Sequence, residues 1–402
     1  MPMIFVGLSS LFQLTKLVNY SILIIDEVWP LNNEKPKPKG GFYRMNELFV
    51  PGRTELAGNH TDHQKGRILA SAVDLGLYAS FDANGVNLCR VASEGFPSFE
   101  VRTAPLNIRT AEFGTPKALV RGVMAAFQEL GLRIGGFDAQ IRSTLPAGSG
   151  LSSSAAFAVL IGRILSQLFN GGKVEPIVLA RVAQQAENQY FGKPCGLMSQ
   201  LTCAFGHTVY VDFKTGEIEP IQADFADMGL VLCLTDTGGS HAGLDTSYAR
   251  IPADMVYIAN LFDKGVLADV DPEEFRAKGW DASNRPVRRA MHFFDENERV
   301  PQMRDALKAG DGQTYMRLMN ESGRSSERLL NNIITSATGD TKLQQGLELS
   351  RKLLEGVGAW RVHGGGFAGC VQALMPREVF DEYKAEMEKT FGSGSCHVIH
   401  LV

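Results

Sequence analysis

The chain has 402 residues, of which 44% are hydrophobic and 21% charged, and these values exclude a disordered or fibrous protein. Lys and Arg number 40 and Asp and Glu number 44, so the formal net charge is −4 and there is no basic excess to bind a nucleic-acid backbone. No uncharged apolar stretch reaches the roughly 18 residues that a membrane-spanning helix needs. Nucleic acids and membranes are therefore not expected as main partners.

The cysteines indicate a reducing compartment. The six residues are Cys89, Cys195, Cys203, Cys233, Cys370 and Cys396. None of them form a C-x-x-C pair, and most have small or apolar neighbours, so we expect free thiols rather than a metal or redox centre. Disulfides are rare in the cytosol, and the sequence therefore predicts a cytoplasmic protein.

The first 44 residues are predicted to be an extension and linker ahead of the folded domain. Met1 to Trp29 is largely apolar, but Lys16 interrupts it, and neither a basic leading segment nor a clear small-residue cleavage site accompanies it. These features do not fit a signal peptide. Residues 32–41 (NNEKPKPKGG) have a linker composition, so the folded domain is expected to begin near Met45.

From residue 45 to 221 the hydrophobic patterns predict strands mixed with helices. The segment 68–75 is apolar but ambiguous in type, and turn residues at 82–85 and 214–216 predict two hairpins. The hairpin strands are 77–81 with 86–91, and 208–213 with 217–221. The other predicted elements are a helix over 116–130, a strand over 137–143, a helix over 151–169 and a helix that begins at Pro176 and closes at Gly192.

The second half is predicted to be mainly helical. Residues 230–235 form a candidate buried strand, helical patterns dominate from 252 to 357, and short strands are expected over 371–374 and 398–402. Strands and helices do not alternate regularly along the chain. We therefore predict an α+β fold with two domains rather than a doubly wound sheet.

The strongest local signal is the segment PAGSGLSSSAA, residues 146–156. Its small residues let a ligand approach the backbone, and it leads directly into a helix whose unpaired N–H groups suit phosphate. The serine hydroxyls add donors and a possible Mg²⁺ ligand. A serine-rich helix cap is the structural alternative, but three serines after G-x-G favour phosphate binding. The segment lacks the G-K-[ST] of a P-loop and the G-x-S-x-G of a hydrolase.

A second glycine-rich segment, GGGFAG at residues 364–369, matches G-x-G-x-x-G. A dinucleotide-binding domain is excluded, because only 33 residues follow it. Two interpretations stay open: a plain turn between a helix and a strand, or a turn that admits a phosphate or packs against the first glycine loop.

A third segment, PGRTELAGNHTDH at residues 51–63, crowds polar groups around two glycines, as in a polyol-binding loop. His60, Asp62 and His63 could bind zinc, but no further ligand motif has metal spacing. A polar surface loop is the structural alternative. Elsewhere, Glu187 lies beside the apolar face of its predicted helix, where a half-buried carboxylate needs either a salt bridge or a metal ion.

Together these segments resemble the galactokinase branch of the GHMP small-molecule kinases. Residues 51–63 are similar to the galactokinase signature, residues 146–156 to the phosphate loop, and residues 358–370 (GAWRVHGGGFAGC) to the third family motif. The resemblance runs from about Phe49 to the C-terminus. It implies a ribosomal-S5-like N-terminal domain over 45–213 that binds sugar and ATP phosphates, and a ferredoxin-like C-terminal domain over 214–402.

The resemblance also implies a role for individual residues. Arg53 corresponds to the arginine that stabilises charge at the reacting centre, and Ser199 occupies the position of the catalytic residue. Asn59, His60, Asp62 and Tyr248 correspond to sugar-binding positions. Ser154 and Glu187 correspond to the Mg²⁺ ligands. The residues expected to wrap the ATP phosphates are Gly148, Ser149, Gly150, Leu151, Ser152, Ser153 and Ser154.

Two positions depart from the family pattern. Ser199 stands where galactokinases carry a catalytic aspartate, in CGLMSQ, with family-like spacing to Glu187 and Tyr248. A serine cannot act as a base at neutral pH, and a general base typically contributes about 10²–10⁴ in rate. Asn59 stands where the family has a glutamate that contacts the sugar 6-position, so the site is expected to tolerate a 6-carboxylate better.

The sequence therefore predicts a monomeric, cytoplasmic kinase that uses ATP and Mg²⁺ to phosphorylate the anomeric hydroxyl of galactose. Two alternatives stay open at this point. One is a catalytically impaired galactose- and ATP-binding protein, either a sensor, a pseudoenzyme or an engineered inactive form. The other is a kinase for a related sugar such as galacturonic acid.

Overall fold

The computed structural model describes residues 45–146, 148–239, 244–334 and 339–402, so the extension predicted over 1–44 lies outside the described residues. Strands gather into a seven-stranded and a four-stranded sheet, and helices pack against both. This segregation confirms the predicted α+β class. None of the helices in these ranges is long and apolar enough to cross a membrane.

The larger sheet is built from the first half of the described chain. Its strands are β1 (Asn46–Ala57), β2 (Arg67–Ala83), β3 (Leu88–Ser93), β4 (Phe99–Arg102), β5 (Phe137–Ser143), β6 (Thr208–Asp212) and β7 (Glu217–Ile221). The order is β4-β3-β5-β2-β6-β7, and β1 pairs antiparallel along β2. The ambiguous segment 68–75 is thus part of a single long strand.

One predicted hairpin is wrong and the other is confirmed. β6 and β7 pair antiparallel around the turn at 214–216. By contrast, β2 and β3 are not partners, because β5 lies between them, antiparallel to β2 and parallel to β3. β5 has buried Phe137, Ala139 and Ile141 on one face, which suits an inner position in the sheet.

Four helices share a hydrophobic core with the larger sheet: α1 (Pro116–Glu129), α2 (Ser153–Phe169), α3 (Pro176–Gln185) and α4 (Met198–Phe205). Proline opens α1 and α3, as their sequences predict. α3 continues into a wide π-helical turn, Ala186–Phe191, and such turns are frequent at functional sites. The short helix α4 was not predicted.

The smaller sheet is antiparallel, with the order β11-β8-β10-β9. Its strands are β8 (Leu230–Asp236), β9 (Ala359–Val362), β10 (Cys370–Pro376) and β11 (Cys396–Ile399). Alternate residues of β8 face opposite sides, with Leu232 and Leu234 in one core and Val231 and Cys233 in another. Both faces of the sheet are therefore covered.

Within the described ranges, six α-helices follow β7: α5 (Asp245–Asn260), α6 (Pro272–Ala277), α7 (Arg285–Lys308), α8 (Gly312–Ser325), α9 (Lys342–Leu354) and α10 (Arg377–Phe391). α9 and α10 cover one face of the smaller sheet. α7 and α8 contribute to a core that includes Leu69 of the larger sheet and Leu232 of the smaller one. This shared core joins the two sheets, and residues 45–402 form one compact unit. A domain division at residue 213 stays a prediction.

Candidate active site

The loop between β1 and β2, residues 58–66, is a tight turn held by its own backbone. Gly58 has φ +94°, and a Cβ there would lie 2.5 Å from the Arg67 carbonyl oxygen, so only glycine fits. The Thr61 hydroxyl donates to that same carbonyl at 2.6 Å. His60 has φ +59°, a left-handed conformation that a non-glycine residue adopts at a cost. The β1–β2 loop is thus a strained turn that needs support from its surroundings.

Residues 363–367, called here the glycine turn, meet three of the predicted sugar-binding side chains. Successive carbonyl oxygens of Gly364, Gly365 and Gly366 accept hydrogen bonds from Asn59 (2.6 Å), His60 (3.0 Å) and Tyr248 (2.6 Å). A side chain on Gly365 would collide with the Tyr248 ring at 2.6 Å. The glycine turn is therefore a backbone platform that brings these side chains together.

Asn59 is fully bonded to the protein. Its amide nitrogen donates to Glu55 (3.1 Å) and to Gly364, and its amide oxygen accepts from Ser326 (3.1 Å) and Asn332 (3.2 Å). An amide has two donor hydrogens and two acceptor positions, so all four are used. The side chain is 1% exposed. A sugar contact by Asn59 stays a prediction, and these contacts do not favour it.

The histidines of the β1–β2 loop are neutral at ordinary pH. Burial lowers the pKa of His60 to about 4 and that of His63 well below its usual value. In neutral His60, Nε2 donates to the Gly365 carbonyl, so Nδ1 is left to accept from His63 Nε2 at 3.3 Å. This arrangement satisfies both rings without a metal ion. No group of three or more His, Cys, Asp or Glu side chains in the described ranges is arranged to hold a metal.

Asp62 is held at the start of α4, which also carries Ser199. One carboxylate oxygen accepts from the His63 backbone at 2.9 Å and the other from the Met198 backbone at 3.3 Å. A Cβ on Gly196 would lie 1.8 Å from the carboxylate, so the segment before α4 must be glycine at this point. Burial raises the pKa of Asp62, and the hydrogen bonds and Arg53 oppose that change.

Arg53 links the β1 strand to both predicted phosphate and catalytic positions. Its Nε donates to Ser199 Oγ at 3.0 Å, and a terminal nitrogen donates to the Gly150 carbonyl at 3.0 Å. Ser199 Oγ also accepts from Ser152 Oγ at 3.1 Å. Burial lowers the pKa of Arg53, while nearby carboxylates including Asp62 raise it. The predicted charge-stabilising residue and the substituted catalytic position are therefore in direct contact.

The loop before α2, residues 148–152, depends on backbone conformation. Gly148, Gly150 and Ser152 all have positive φ angles, of +77°, +69° and +63°. The loop packs on the smaller sheet, where the Cys370 thiol lies 3.5 Å from the Gly148 carbonyl oxygen, and on the glycine turn, where His363 Nδ1 lies 3.0 Å from the position of a Cβ on Gly150. Ser153 opens α2 and is exposed, and Ser152 makes no capping bond. The first N–H groups of α2 are thus presented beside exposed hydroxyls, as an anion site requires.

The two predicted metal ligands are neighbours. The Ser154 hydroxyl and the Gln200 amide nitrogen both donate to the buried Glu187 carboxylate, and the Cys195 thiol lies 3.6 Å from it. These partners are neutral, which argues against the salt-bridge interpretation of Glu187. The Gln200 amide oxygen is buried and lacks a hydrogen-bond partner. An oxygen-rich cluster with one unsatisfied acceptor is the kind of donor set that Mg²⁺ prefers.

A buried charged network lies behind the β1–β2 loop, and no sequence pattern indicates it. Glu55 pairs with Arg361 at 3.2 Å, and both side chains are nearly inaccessible to solvent. Glu296, on α7, is also fully buried. A single charged residue in a strand or helix ordinarily predicts a solvent-exposed position, so only the folded structure reveals these partners.

Comparisons with known proteins identify the family to which the chain belongs. The profile for the galactokinase galactose-binding signature matches residues 47–82, and the profile for the GHMP kinases N-terminal domain matches residues 118–207. A galactokinase from Glaesserella parasuis serovar 5 is 32% identical over 348 residues, which cover 84% of this chain and 87% of that protein. A galactokinase from Streptococcus thermophilus is 31% identical over 362 residues, covering 87% and 90%.

Solved structures show the same fold. The crystal structure of Lactococcus lactis galactokinase complexed with galactose aligns with a TM-score of 0.78 at 24% identity, covering 88% of this chain and 93% of that one. The Methanococcus jannaschii mevalonate kinase aligns with a TM-score of 0.63 at 16% identity, covering 91% of this chain and 100% of that one. The described residues therefore have the two-sheet architecture that these kinases share.

Proposed function

Because the chain belongs to the galactokinase family of the GHMP kinases, we propose that it transfers the γ-phosphoryl group of ATP to the anomeric hydroxyl of galactose. The single observation that best supports the reaction is the position of Arg53. Arg53 lies on β1, the strand that leads into the β1–β2 loop, and its side chain donates to the Gly150 carbonyl in the loop before α2. A cation at this junction lies where the predicted phosphate and sugar sites meet.

The nucleotide side uses backbone groups and hydroxyls. The N–H groups at the start of α2 and the exposed Ser153 hydroxyl bind the ATP phosphates, and the positive φ angles of Gly148 and Gly150 shape the loop around them. Ser154 and Glu187 would hold Mg²⁺, with the unpartnered Gln200 oxygen beside them. When bound, Mg²⁺ supplies positive charge that neutralises the phosphate oxygens.

The sugar side uses the Asp62 carboxylate and the Tyr248 hydroxyl, while His60, whose two ring nitrogens are both bonded to protein groups, shapes the loop. Neutral His60 and Tyr248 are fixed by the glycine turn, and Asp62 offers a carboxylate that can accept hydrogen bonds from sugar hydroxyls. Binding of galactose between these groups and the loop before α2 positions its anomeric oxygen for transfer. Such positioning is a large part of catalysis in phosphoryl transfer.

Ser199 takes no proton from the sugar, because its hydroxyl is far too weak a base at neutral pH. Instead it accepts a hydrogen bond from Arg53 and holds the guanidinium in place. Phosphoryl transfer proceeds through a loose transition state in which charge stabilisation matters more than base catalysis. We therefore expect turnover, at a rate lower than an aspartate at this position would give.

We also propose that the protein acts as a cytoplasmic monomer. All six cysteines have free thiols, as expected in a reducing compartment.

The test is whether the unmodified protein forms galactose 1-phosphate. Product is monitored by ³¹P NMR, with galactose, galacturonate and arabinose as acceptors. We expect ATP-dependent product from galactose, and its loss in Arg53→Met. Arg317→Met is the matched control, because Arg317 is 58% exposed and pairs with Glu321 on the surface of α8. Galactose and ATP binding without product from any sugar would overturn the proposed activity in favour of a binding protein.

A further inference from the structure

Three polar side chains of α7 contact the backbone of the β1–β2 loop. Glu296 Oε1 accepts from the backbone N–H groups of Gly58 at 3.1 Å and Asn59 at 3.4 Å. His292 Nε2 donates to the Asn59 carbonyl at 2.9 Å. Asn297, the residue after Glu296, accepts through Oδ1 from the Arg67 N–H at 2.7 Å, at the first residue of β2. These contacts join segments about 230 residues apart in the chain.

Glu296 is an ionised carboxylate with no access to solvent. Besides the loop, it accepts from the Ser322 hydroxyl at 2.8 Å and pairs with Arg299. Burial would raise its pKa, but the positive charges of Arg299 and Arg361 and the hydrogen bond from Ser322 outweigh burial and lower the pKa to about 2. The carboxylate is therefore charged at any practical pH, and hydrogen bonds to a charged acceptor are the strong ones.

His292 bonds the carbonyl of Asn59, the residue whose N–H donates to Glu296. Because Nε2 donates to a carbonyl, the neutral ring must accept at Nδ1, and the Ser325 hydroxyl is positioned to donate there at 2.8 Å. Burial lowers the pKa of His292, which keeps it in this neutral form. The Asn59 carbonyl, which can only accept, therefore fixes the tautomer, and the Ser325 hydroxyl on α8 adapts to it.

We propose that Glu296 is a positioning residue for sugar binding, which, with His292, holds the β1–β2 loop in the conformation that presents Asp62 to the sugar. This inference rests on the proposed function, since it assigns the loop to galactose. The loop has left-handed backbone at both Gly58 and His60, and such a turn persists only when its surroundings fix it. The N–H groups and carbonyl at the turn are bonded to α7.

If Glu296 had a purely structural role, replacing it would lower the stability of the whole protein and weaken the binding of both substrates. A positioning role has a different signature. The loop before α2 is held by Arg53 and the smaller sheet rather than by α7, so nucleotide binding should be spared. Loss of sugar affinity with unchanged nucleotide affinity is therefore the result that distinguishes the two.

The decisive variant is Glu296→Gln, which keeps the shape and removes the charge. By calorimetry we expect the galactose Kd to rise about tenfold or more, and the Kd for Mg²⁺ and a non-hydrolysable ATP analogue to change less than about twofold. In hydrogen–deuterium exchange, peptides covering residues 58–67 should exchange faster. Glu298→Gln is the matched control, because Glu298 is 52% exposed on the same helix and pairs with Arg276.

An unchanged galactose Kd together with unchanged exchange at residues 58–67 would overturn the proposal. Equal weakening of galactose binding and nucleotide binding would also overturn it, in favour of a structural role. If Glu296→Gln does not fold, Ser322→Ala removes one hydrogen bond from Glu296 and leaves its charge, and we expect a smaller change of the same kind. If the wild-type protein binds no sugar, the proposed function fails, and the exchange measurement still decides whether Glu296 fixes the loop.

Discussion

The β1–β2 loop and the loop before α2 reach their conformations by opposite means. Side chains from distant segments hold the first loop, through Glu296, His292 and the carbonyls of the glycine turn. Backbone geometry shapes the second, through positive φ angles at Gly148, Gly150 and Ser152. In the first loop, every donor and acceptor position of the Asn59 side-chain amide is bonded to the protein. Ser153, which directly follows the second loop, is exposed.

This difference indicates how each half of the site is prepared. The sugar side is preorganised by buried, long-range contacts, so changes there should alter loop geometry and stability. The nucleotide side keeps donors and acceptors that gain partners when a ligand arrives, so changes there should alter affinity directly. Ser199 lies between them, bonded to Arg53 and to Ser152.

The largest effect is expected at that junction, in Ser199→Asp. A carboxylate beside Arg53 provides the missing base and a charged partner for the guanidinium. We expect kcat to rise by up to about 10²–10⁴, with a much smaller change in galactose affinity. Steady-state kinetics of product formation measure both quantities, and Ser199→Asn is the uncharged control.

An unchanged or reduced kcat in Ser199→Asp would mean that the site is organised around serine or that the reaction uses no base. In that case the two loops would already supply everything the transfer needs. The reacting centre would then be complete in the protein itself, as the sugar side is, whereas the nucleotide side is completed by its ligand.

A second variant, Asn59→Glu, tests whether the Asn59 side chain bonds only to protein groups on the sugar side. In Asn59→Glu, a carboxylate would face the Glu55 carboxylate and the Gly364 carbonyl, which are both acceptors. An uncompensated buried charge costs about 3–5 kcal/mol, so the free energy of unfolding in urea should fall by that order. Asn59→Gln is the neutral control.

If Asn59→Glu instead retains stability and changes the ratio of galacturonate to galactose affinity, Asn59 faces the sugar 6-position. The resemblance to galactokinases predicts that contact, while the four hydrogen bonds to protein groups do not favour it. Measuring stability and the affinity ratio on one variant decides between the two.

The nucleotide side is tested by Ser154→Ala and Glu187→Gln. Each change removes one oxygen or one charge from the Ser154–Glu187–Gln200 cluster. We expect the Kd of the Mg²⁺-nucleotide complex to rise roughly tenfold, as for the loss of a hydrogen bond to a charged group, while galactose binding is retained. Ser166→Ala, in the interior of α2, controls for general loss of stability.

Calorimetry with and without Mg²⁺ separates a metal ligand from a phosphate contact. Equal weakening of sugar and nucleotide binding would contradict the assignment. A fall in thermal stability alone would mean that Glu187 has only a structural role.

The local parts of this site could be predicted from the sequence, because glycine, serine and proline act on their own neighbourhood. The start of α2, the opening of α3 at Pro176 and the turn between β6 and β7 follow from such residues. The partner of β2 could not be predicted, since pairing with β5 depends on packing 60 residues further along. The contacts of Glu296 and the saturation of Asn59 are likewise long-range. By contrast, α10 does have a local pattern, because its buried residues Phe380, Tyr383 and Met387 are spaced as on one face of a helix.

The smallest predicted effect concerns acid. Histidines His60, His63 and His292 are kept neutral by burial at the β1–β2 loop, while the unfolded chain protonates them near pH 6.5. As pH falls from 7.5 to 5.5, the unfolded state therefore binds more protons than the folded state, and stability falls. The raised pKa values of Glu55 and Asp62 act in the opposite direction, because the folded state then gains protons first.

The contribution of a single histidine is isolated by His292→Gln, which keeps a donor for the Asn59 carbonyl. Urea titrations at the two pH values should show the stability difference shrinking by about 1 kcal/mol in this variant. His400→Gln, on the exposed surface, is the control. A pH dependence that is the same in wild type and His292→Gln would mean that His292 gains its proton in the folded protein, and that the sugar side is less tightly closed than its contacts indicate.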